Sequence, residues 1–232
     1  MNANVITITG NTVSEDAAQR LISSSEKVEN DFAISTFEAI VPDTVDRTMR
    51  ENMLTWNYPW SGEEYDMRSG LKKTAYKTAD PKKRIACFLS HYSLWKQCAE
   101  SAESAFIFEH DALFTSKVNL DILNKSKYTI IGLNNPMGAT RRANLFHQAV
   151  QKSGDGVVGC PKVDLDHIPQ GIAGNSAYYI KPEGAKKMLD LVKEYGAWPN
   201  DAIMCRQLLS GKLGVLNPYC TKIQGLSSTT TL

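Results

Sequence analysis

Glu109 and Asp111 stand one residue apart around His110, between the apolar runs Phe106-Ile107-Phe108 and Ala112-Leu113-Phe114. Two carboxylates at that spacing offer oxygen ligands to a hard divalent cation. The competing reading makes them caps on the next segment, and the stretch alone supports both equally. A second charged group, Lys82-Lys83-Arg84, follows Asp80-Pro81. Cations in the first turn of a helix oppose its dipole at a cost of roughly a few tenths of a kcal/mol each. A nearby diphosphate would offset that cost and use the free amides, although ordinary surface lysines account for most such runs. Asp201, after Trp198-Pro199-Asn200, falls at or just inside a helix start, where it is either a cap or a placed acid or base. Asn175 and Ser176 end Pro169–Ser176, which combines two glycines with amide and hydroxyl groups. His91 reads as a satisfied core histidine rather than a ligand.

The elements that must position these groups follow from local pattern. Phe106 to Phe108 reads as a buried strand, so its end sets the two carboxylates at the carboxyl edge, where open α/β sheets bind ligands. Val5–Thr9, a helix capped by Ser14 and carrying Ala17, Ala18, Leu21 and Ile22 on one face, and a strand around Phe32–Ile40 make a βαβ unit with parallel strands. One glycine after the first strand, Gly10, is a weak phosphate signal. Asp80 caps a helix with Pro81 at its first position; Ile85, Phe88, Leu89, Tyr92, Trp95 and Ala99 give it an apolar face.

Between Asp43 and Ala79, the residues Trp56, Tyr58, Trp60, Tyr65 and Tyr76 crowd a segment broken by Pro59, Gly62 and Gly70. It is either a ring-lined binding surface or an irregular segment pinned by its aromatics, with the second reading slightly favoured. Further on lie a strand at Tyr128–Leu133, a loop carrying Arg141 and Arg142, and a turn at Gly154–Gly156. A strand at Ala177–Ile180 precedes a helix from Pro182 that Gly196 ends. Leu213–Leu216 and Tyr219–Ile223 close the fold as strands, leaving residues 1–226 as one domain and a loose polar tail at 227–232.

Composition narrows the class. Apolar residues at 42% and charged residues at 22% suit a soluble globular chain. A net charge of +1 excludes a strong non-specific pull toward nucleic acid or anionic membrane. Five cysteines without a Cys-x-x-Cys pair fit neither a disulfide framework nor a zinc knuckle, which points to a reducing compartment. With no secretory-type N-terminus and no apolar stretch near the roughly 20 residues a bilayer span needs, the expected location is the cytoplasm.

Arg84-Ile85-Ala86-Cys87-Phe88-Leu89-Ser90-His91-Tyr92-Ser93-Leu94-Trp95, followed by Phe108-Glu109-His110-Asp111-Ala112, resembles glycosyltransferase family 25, the lipopolysaccharide and collagen sugar transferases. Members carry a Cys-Phe-Leu-Ser-His-like helix and an apolar strand ending in Glu-Asp-Asp-Ala; here His110 replaces the middle acid. The resemblance implies a single Rossmann-like α/β domain of the GT-A type, with a mixed central sheet flanked by helices. It implies a nucleotide-sugar donor, Mn²⁺ or Mg²⁺ held by Glu109 and Asp111, donor contacts from Lys83, Arg84, Asn175 and Ser176, and Asp201 as general base. The wording Gly174-Asn175-Ser176-Ala177-Tyr178 and Trp198-Pro199-Asn200-Asp201-Ala202-Ile203-Met204 is similar to members encoded by tailed bacteriophages. That similarity implies as acceptor a hydroxymethylated pyrimidine in phage DNA, toward which Lys72-Lys73 and Lys82-Lys83-Arg84 would steer a duplex, or else a glycan. The remaining alternatives are a non-catalytic nucleotide-sugar-binding module and, behind it, a metal-dependent phosphohydrolase, whose chemistry two carboxylates at a strand end also suit.

Overall fold

The structure, a computed structural model, describes residues 1–137 and 142–226. Arg141 and the expected tail at 227–232 lie outside the described residues. The chain opens with β1 (Asn2–Thr7), α1 (Thr12–Lys27) and β2 (Ser35–Glu38). β1 pairs in parallel with β2, as the expected crossover requires. The helix begins earlier than expected, because Asn11 caps it by accepting from the Ser14 amide, and Ser14 Oγ instead accepts from the Ile8 amide at 2.9 Å. The Gly10 amide is taken by Glu15 Oε1 at 2.8 Å, which closes that loop on itself rather than on a phosphate.

A short helix α2 (Val45–Glu51) and a hairpin of β3 (Glu63–Asp66) and β4 (Leu71–Thr74) organise the segment that reads as irregular in sequence. Then come α3 (Pro81–Ser101), β5 (Ala105–Glu109), β6 (Ala112–Phe114), α4 (Leu120–Lys125) and β7 (Ile130–Gly132). After them follow α5 (Ala143–Lys152), β8 (Gly156–Gly159), β9 (Ala177–Ile180), α6 (Pro182–Tyr195), α7 (Asn200–Ile203), β10 (Leu213–Asn217) and β11 (Thr221–Ile223). The main sheet has seven strands in the order β2-β1-β5-β9-β7-β10-β8, with β9 and β8 antiparallel to their neighbours. It is the mixed sheet expected.

Alternation along each strand splits the core between the two sheet faces. Ile6, Ile107, Tyr178 and Val215 face one cluster with α3, α5 and α6, whereas Val5, Phe106, Phe108 and Tyr179 face the other with α1 and α4. Phe106, Ile107 and Phe108 are fully buried, and each such side chain contributes up to about 1.5–3 kcal/mol. This burial fixes the register of β5, and with it the position of the carboxylate that ends the strand. No helix among the described residues is long and apolar enough to cross a membrane.

Candidate active site

β5 delivers Glu109 as its last residue, and the Glu109 amide donates to the Ser176 carbonyl at 2.8 Å. Because β9 runs antiparallel beside β5, its entry residues Asn175 and Ser176 arrive at the same sheet edge as Glu109. His110 and Asp111 then form a tight turn into β6. Gln224, just past β11, clamps that turn. Its backbone amide donates to the Asp111 carbonyl at 2.7 Å, and Nε2 lies 3.1 Å from the His110 carbonyl and 2.9 Å from those of Ala112 and Ala17. Arg20 Nε donates to Gln224 Oε1 at 2.7 Å and so fixes which way the amide faces.

A cleft of about 1220 Å³ opens over this edge. Glu109, Asp111, Asn175, Ser176, Lys83, Arg84 and Asp201 all line it, so the structure brings every candidate residue together. The N-terminal turn of α3 brings Lys83 and Arg84, while α7 brings Asp201. Gly171 lets the loop before β9 pack against α7: a Cβ there would meet the Asp201 and Met204 carbonyl oxygens, both at 2.7 Å.

The three carboxyls differ in charge state for physical reasons. Burial works against the Glu109 anion, but the opposing contributions, led by the hydrogen bond from His91, outweigh it and hold its pKa below the usual value. Asp111 is pushed up to about 7, first by burial and then by the Glu109 charge, while Ser176 pulls the other way. Burial also raises Asp201, against the opposing Arg84 charge and a hydrogen bond from Tyr76.

The candidate cations differ in what holds them. Lys82 is taken by Asp46 at 2.6 Å, outside the cleft. Arg84 lies over the Tyr76 ring, 4.8 Å from its centre, with Nε 3.4 Å from Thr78 Oγ1. The duplex-steering patch does not survive in the form expected. Lys73 is fully buried against Glu64 at 3.0 Å and Asp66 at 3.6 Å, and Lys72 pairs with Glu63 at 2.5 Å. The hairpin's own acids therefore use those charges. Of the crowded aromatics, Tyr58 is buried and stacks on Tyr76 at 5.8 Å, whereas Trp60 stays 43% exposed against Trp56 at 5.1 Å. Tyr58 and Tyr76 face the cleft, so this segment is both pinned by its rings and part of the cleft wall.

His110, in place of the family's middle acid, lines the cleft at 9% exposure and bonds to the Ile6 carbonyl, while burial lowers its pKa. His91 is fully buried, as expected, yet Nε2 lies 3.2 Å from Glu109 Oε1. That link, the Gln224 clamp and the Tyr76 contact to Asp201 are invisible to sequence reasoning, since each joins residues far apart in the chain. Arg142, expected only as part of a loop, lines the cleft and forms a bidentate pair with Asp164 at 2.6 and 3.2 Å.

Whether these residues suit a divalent cation is decided by their unpaired acceptors. Asp111 Oδ1 is buried and has no hydrogen-bond partner, beside a Glu109 held in its charged form. Oxygen donors in that state fit a hard cation. Asp201 Oδ1 and both amide atoms of Asn175 are likewise buried without partners in the same cleft.

Comparison with protein-family models agrees with the family reading. Residues 15–204 match the model for Glycosyltransferase family 25 (LPS biosynthesis protein). None of the curated proteins matches the chain. Among solved structures, the galactosyltransferase LgtC in complex with donor and acceptor sugar analogs is similar at a TM-score of 0.42 and 11% identity, covering 93% of this chain and 73% of that one. Mouse xyloside xylosyltransferase 1 in its apo form is similar at a TM-score of 0.47 and 10% identity, covering 93% of this chain and 84% of that one.

Proposed function

The chain belongs to glycosyltransferase family 25 and is a nucleotide-sugar-dependent glycosyltransferase, and from that premise we propose that this cleft moves the donor sugar onto an acceptor hydroxyl with a divalent cation bound. The observation that carries the proposal is the set of buried, unpartnered polar atoms on Asp111, Asn175 and Asp201 around one cleft. Left unmet, such groups cost about 1–3 kcal/mol each; a bound substrate would satisfy them.

Glu109 and Asp111 would hold Mn²⁺ or Mg²⁺, which when bound stabilises the charge that builds on a leaving diphosphate. Lys83 and Arg84, in the first turn of α3, bind the same diphosphate by charge alone; the amides expected to help are not free, because Pro81 has none and Asp80 accepts those of Lys82 and Lys83. The Asn175 amide offers one donor and one acceptor face to sugar hydroxyls, and Ser176 orients Asp111. Asp201 takes the proton of the acceptor hydroxyl. Its pKa, raised by burial, makes it a stronger base than an exposed carboxylate, and Tyr76 holds it in place.

Lys72, Lys73 and Lys82 are each paired with carboxylates, which engages three of the five cations expected to track a phosphate backbone. That pairing favours a glycan hydroxyl over a hydroxymethylated pyrimidine of DNA as acceptor. The five free cysteines suit a reducing compartment, and we assign the reaction to the cytoplasm. Incubation with Mn²⁺, a panel of nucleotide sugars and either lipopolysaccharide or hydroxymethylated DNA tests this, with released nucleoside diphosphate and product mass as readouts. A hexose gained by the glycan supports the proposal. Gain on DNA alone overturns the acceptor choice, and no turnover with any donor overturns the catalytic reading.

A further inference from the structure

Cys87 Sγ, a ring nitrogen of His91 and a carboxylate oxygen of Glu109 lie within 4.8 Å of one another at the cleft wall, a spacing that a zinc ion could span. The hydrogen-bond directions behind His91 argue for a different role. Trp95 Nε1 can only donate, and it lies 2.8 Å from Tyr178 Oη. Tyr178 Oη therefore accepts there, and its own proton needs a recipient. His91 Nδ1 stands 2.8 Å away on the other side. Were Nδ1 protonated, in either the neutral or the charged ring, the Tyr178 proton would be left unpaired. Trp95, Tyr178 and His91 are all fully buried, so that loss would carry its whole desolvation cost. With Nδ1 as acceptor, every group is satisfied and the ring proton sits on Nε2, 3.2 Å from Glu109 Oε1.

We infer that Trp95, Tyr178 and His91 form a one-directional donor relay that ends on Glu109, making His91 a positioning residue that orients this carboxylate and is withheld from metal coordination. The role toward the metal rests on Glu109 being a ligand, as proposed above; the relay itself does not. A metal-bound Nε2 has to lose its proton, which would reverse the chain back to Tyr178. The Cys87 cluster is thereby closed to zinc, and Glu109 is left to bind through oxygen beside Asp111. Cys87 itself turns toward Asn200 Oδ1, with Sγ 3.7 Å away.

Nitrogen-15 NMR of the metal-free full chain tests the relay directly, the His91 signals being assigned by their loss in His91→Gln. The Nε2–H tautomer is expected, unchanged on adding Zn²⁺. A resting Nδ1–H tautomer, or a Zn²⁺-induced shift of Nε2 to a coordinated value, would overturn it. Mn²⁺ titration of folded variants tests the positioning. Tyr178→Phe and His91→Ala are expected to weaken Mn²⁺ binding by about 10- to 100-fold. His91→Gln, whose amide can donate from a similar position, should recover most of that loss. Equal losses in the Ala and Gln variants, or none in any variant, would overturn the positioning role. A wild-type chain that binds no Mn²⁺ would refute the metal reading, while the tautomer still decides the relay.

Discussion

The backbone amide of Gln224 donates to the Asp111 carbonyl at 2.7 Å, tying the end of the last strand to the turn that carries the two carboxylates. The side chain adds contacts to the His110, Ala112 and Ala17 carbonyls, joining α1, β6 and β11 in one clamp. Gln224→Ala keeps the backbone bond and removes the rest. Side-chain hydrogen bonds of this kind contribute about 1 kcal/mol each net, so a loss of about 1–3 kcal/mol in denaturant unfolding is expected. Mn²⁺ binding should weaken with it, because the Asp111 turn then keeps only one of its bonds to Gln224. A variant with reduced stability and intact Mn²⁺ affinity would separate the clamp from the site.

Gly171→Ala probes the contact between the β9 loop and α7. The added methyl would meet two backbone oxygens at 2.7 Å, and backbone gives way less readily than a side-chain tip. Overpacking of this sort costs about 1–3 kcal/mol. The strain falls on the turn carrying Asp201, so turnover is expected to drop by more than tenfold with the nucleotide-sugar Kd little changed. Equal losses in both would mean that the whole cleft has shifted.

The parts of the fold written in local sequence were legible. Asp80-Pro81 starts α3, Pro182 and Gly196 bound α6, and Phe106 to Phe108 lie within a buried strand, because caps, fixed φ angles and apolar runs act on near neighbours. Gly196 shows such a local signal reinforced by tertiary structure: its φ of +80° ends the helix, and a Cβ there would meet Asn57 Cβ at 2.8 Å. The β3–β4 hairpin carried no comparable signal, since it is docked by a bond from the Lys72 amide to the distant His167 carbonyl. The turn at Gly154–Gly156 was legible but β8 after it was not, because its glycines and half-exposed valines form an edge strand that gains its order from β10. Within the cleft, residue types pointed to carboxylates and cations, but their charge states depend on burial and on partners such as His91 and Tyr76. Those become visible only after folding.

Metal binding should depend on pH through Asp111. Its pKa, at about 7, lies above the ordinary carboxyl value of 3.8, so the native state holds this proton more tightly than the unfolded chain. Asp111 therefore contributes stability at low pH that is lost as pH rises toward and through 7. A cation must displace that proton, which makes Mn²⁺ affinity about tenfold weaker at pH 6 than at pH 8. The Mn²⁺-induced rise in Tm should follow the same trend. Asp111→Asn should abolish the trend and most of the binding; a metal response independent of pH in the wild type would remove Asp111 from the ligand set.

Asp201→Asn separates stability from turnover at one position. Burial raises the Asp201 pKa, with the Glu109 charge adding to it against Arg84 and Tyr76. The native state thus holds this proton more tightly than the unfolded chain does. Asp201 favours folding fully below the ordinary carboxyl range, and that contribution is lost as pH rises through the raised native value. At neutral pH the wild type pays to bury an anion whose Oδ1 has no partner. Asparagine keeps the shape without the charge, so the variant should be more stable by about 1 kcal/mol at neutral pH, a gain that disappears in acid. It cannot take a proton from the acceptor, so turnover should fall by about 100-fold or more with donor affinity retained. Urea unfolding at two pH values, beside donor calorimetry and turnover, checks each part. A variant that keeps its turnover would show that another group accepts the proton, while one destabilised at neutral pH would show that Arg84 and Tyr76 more than compensate the buried charge.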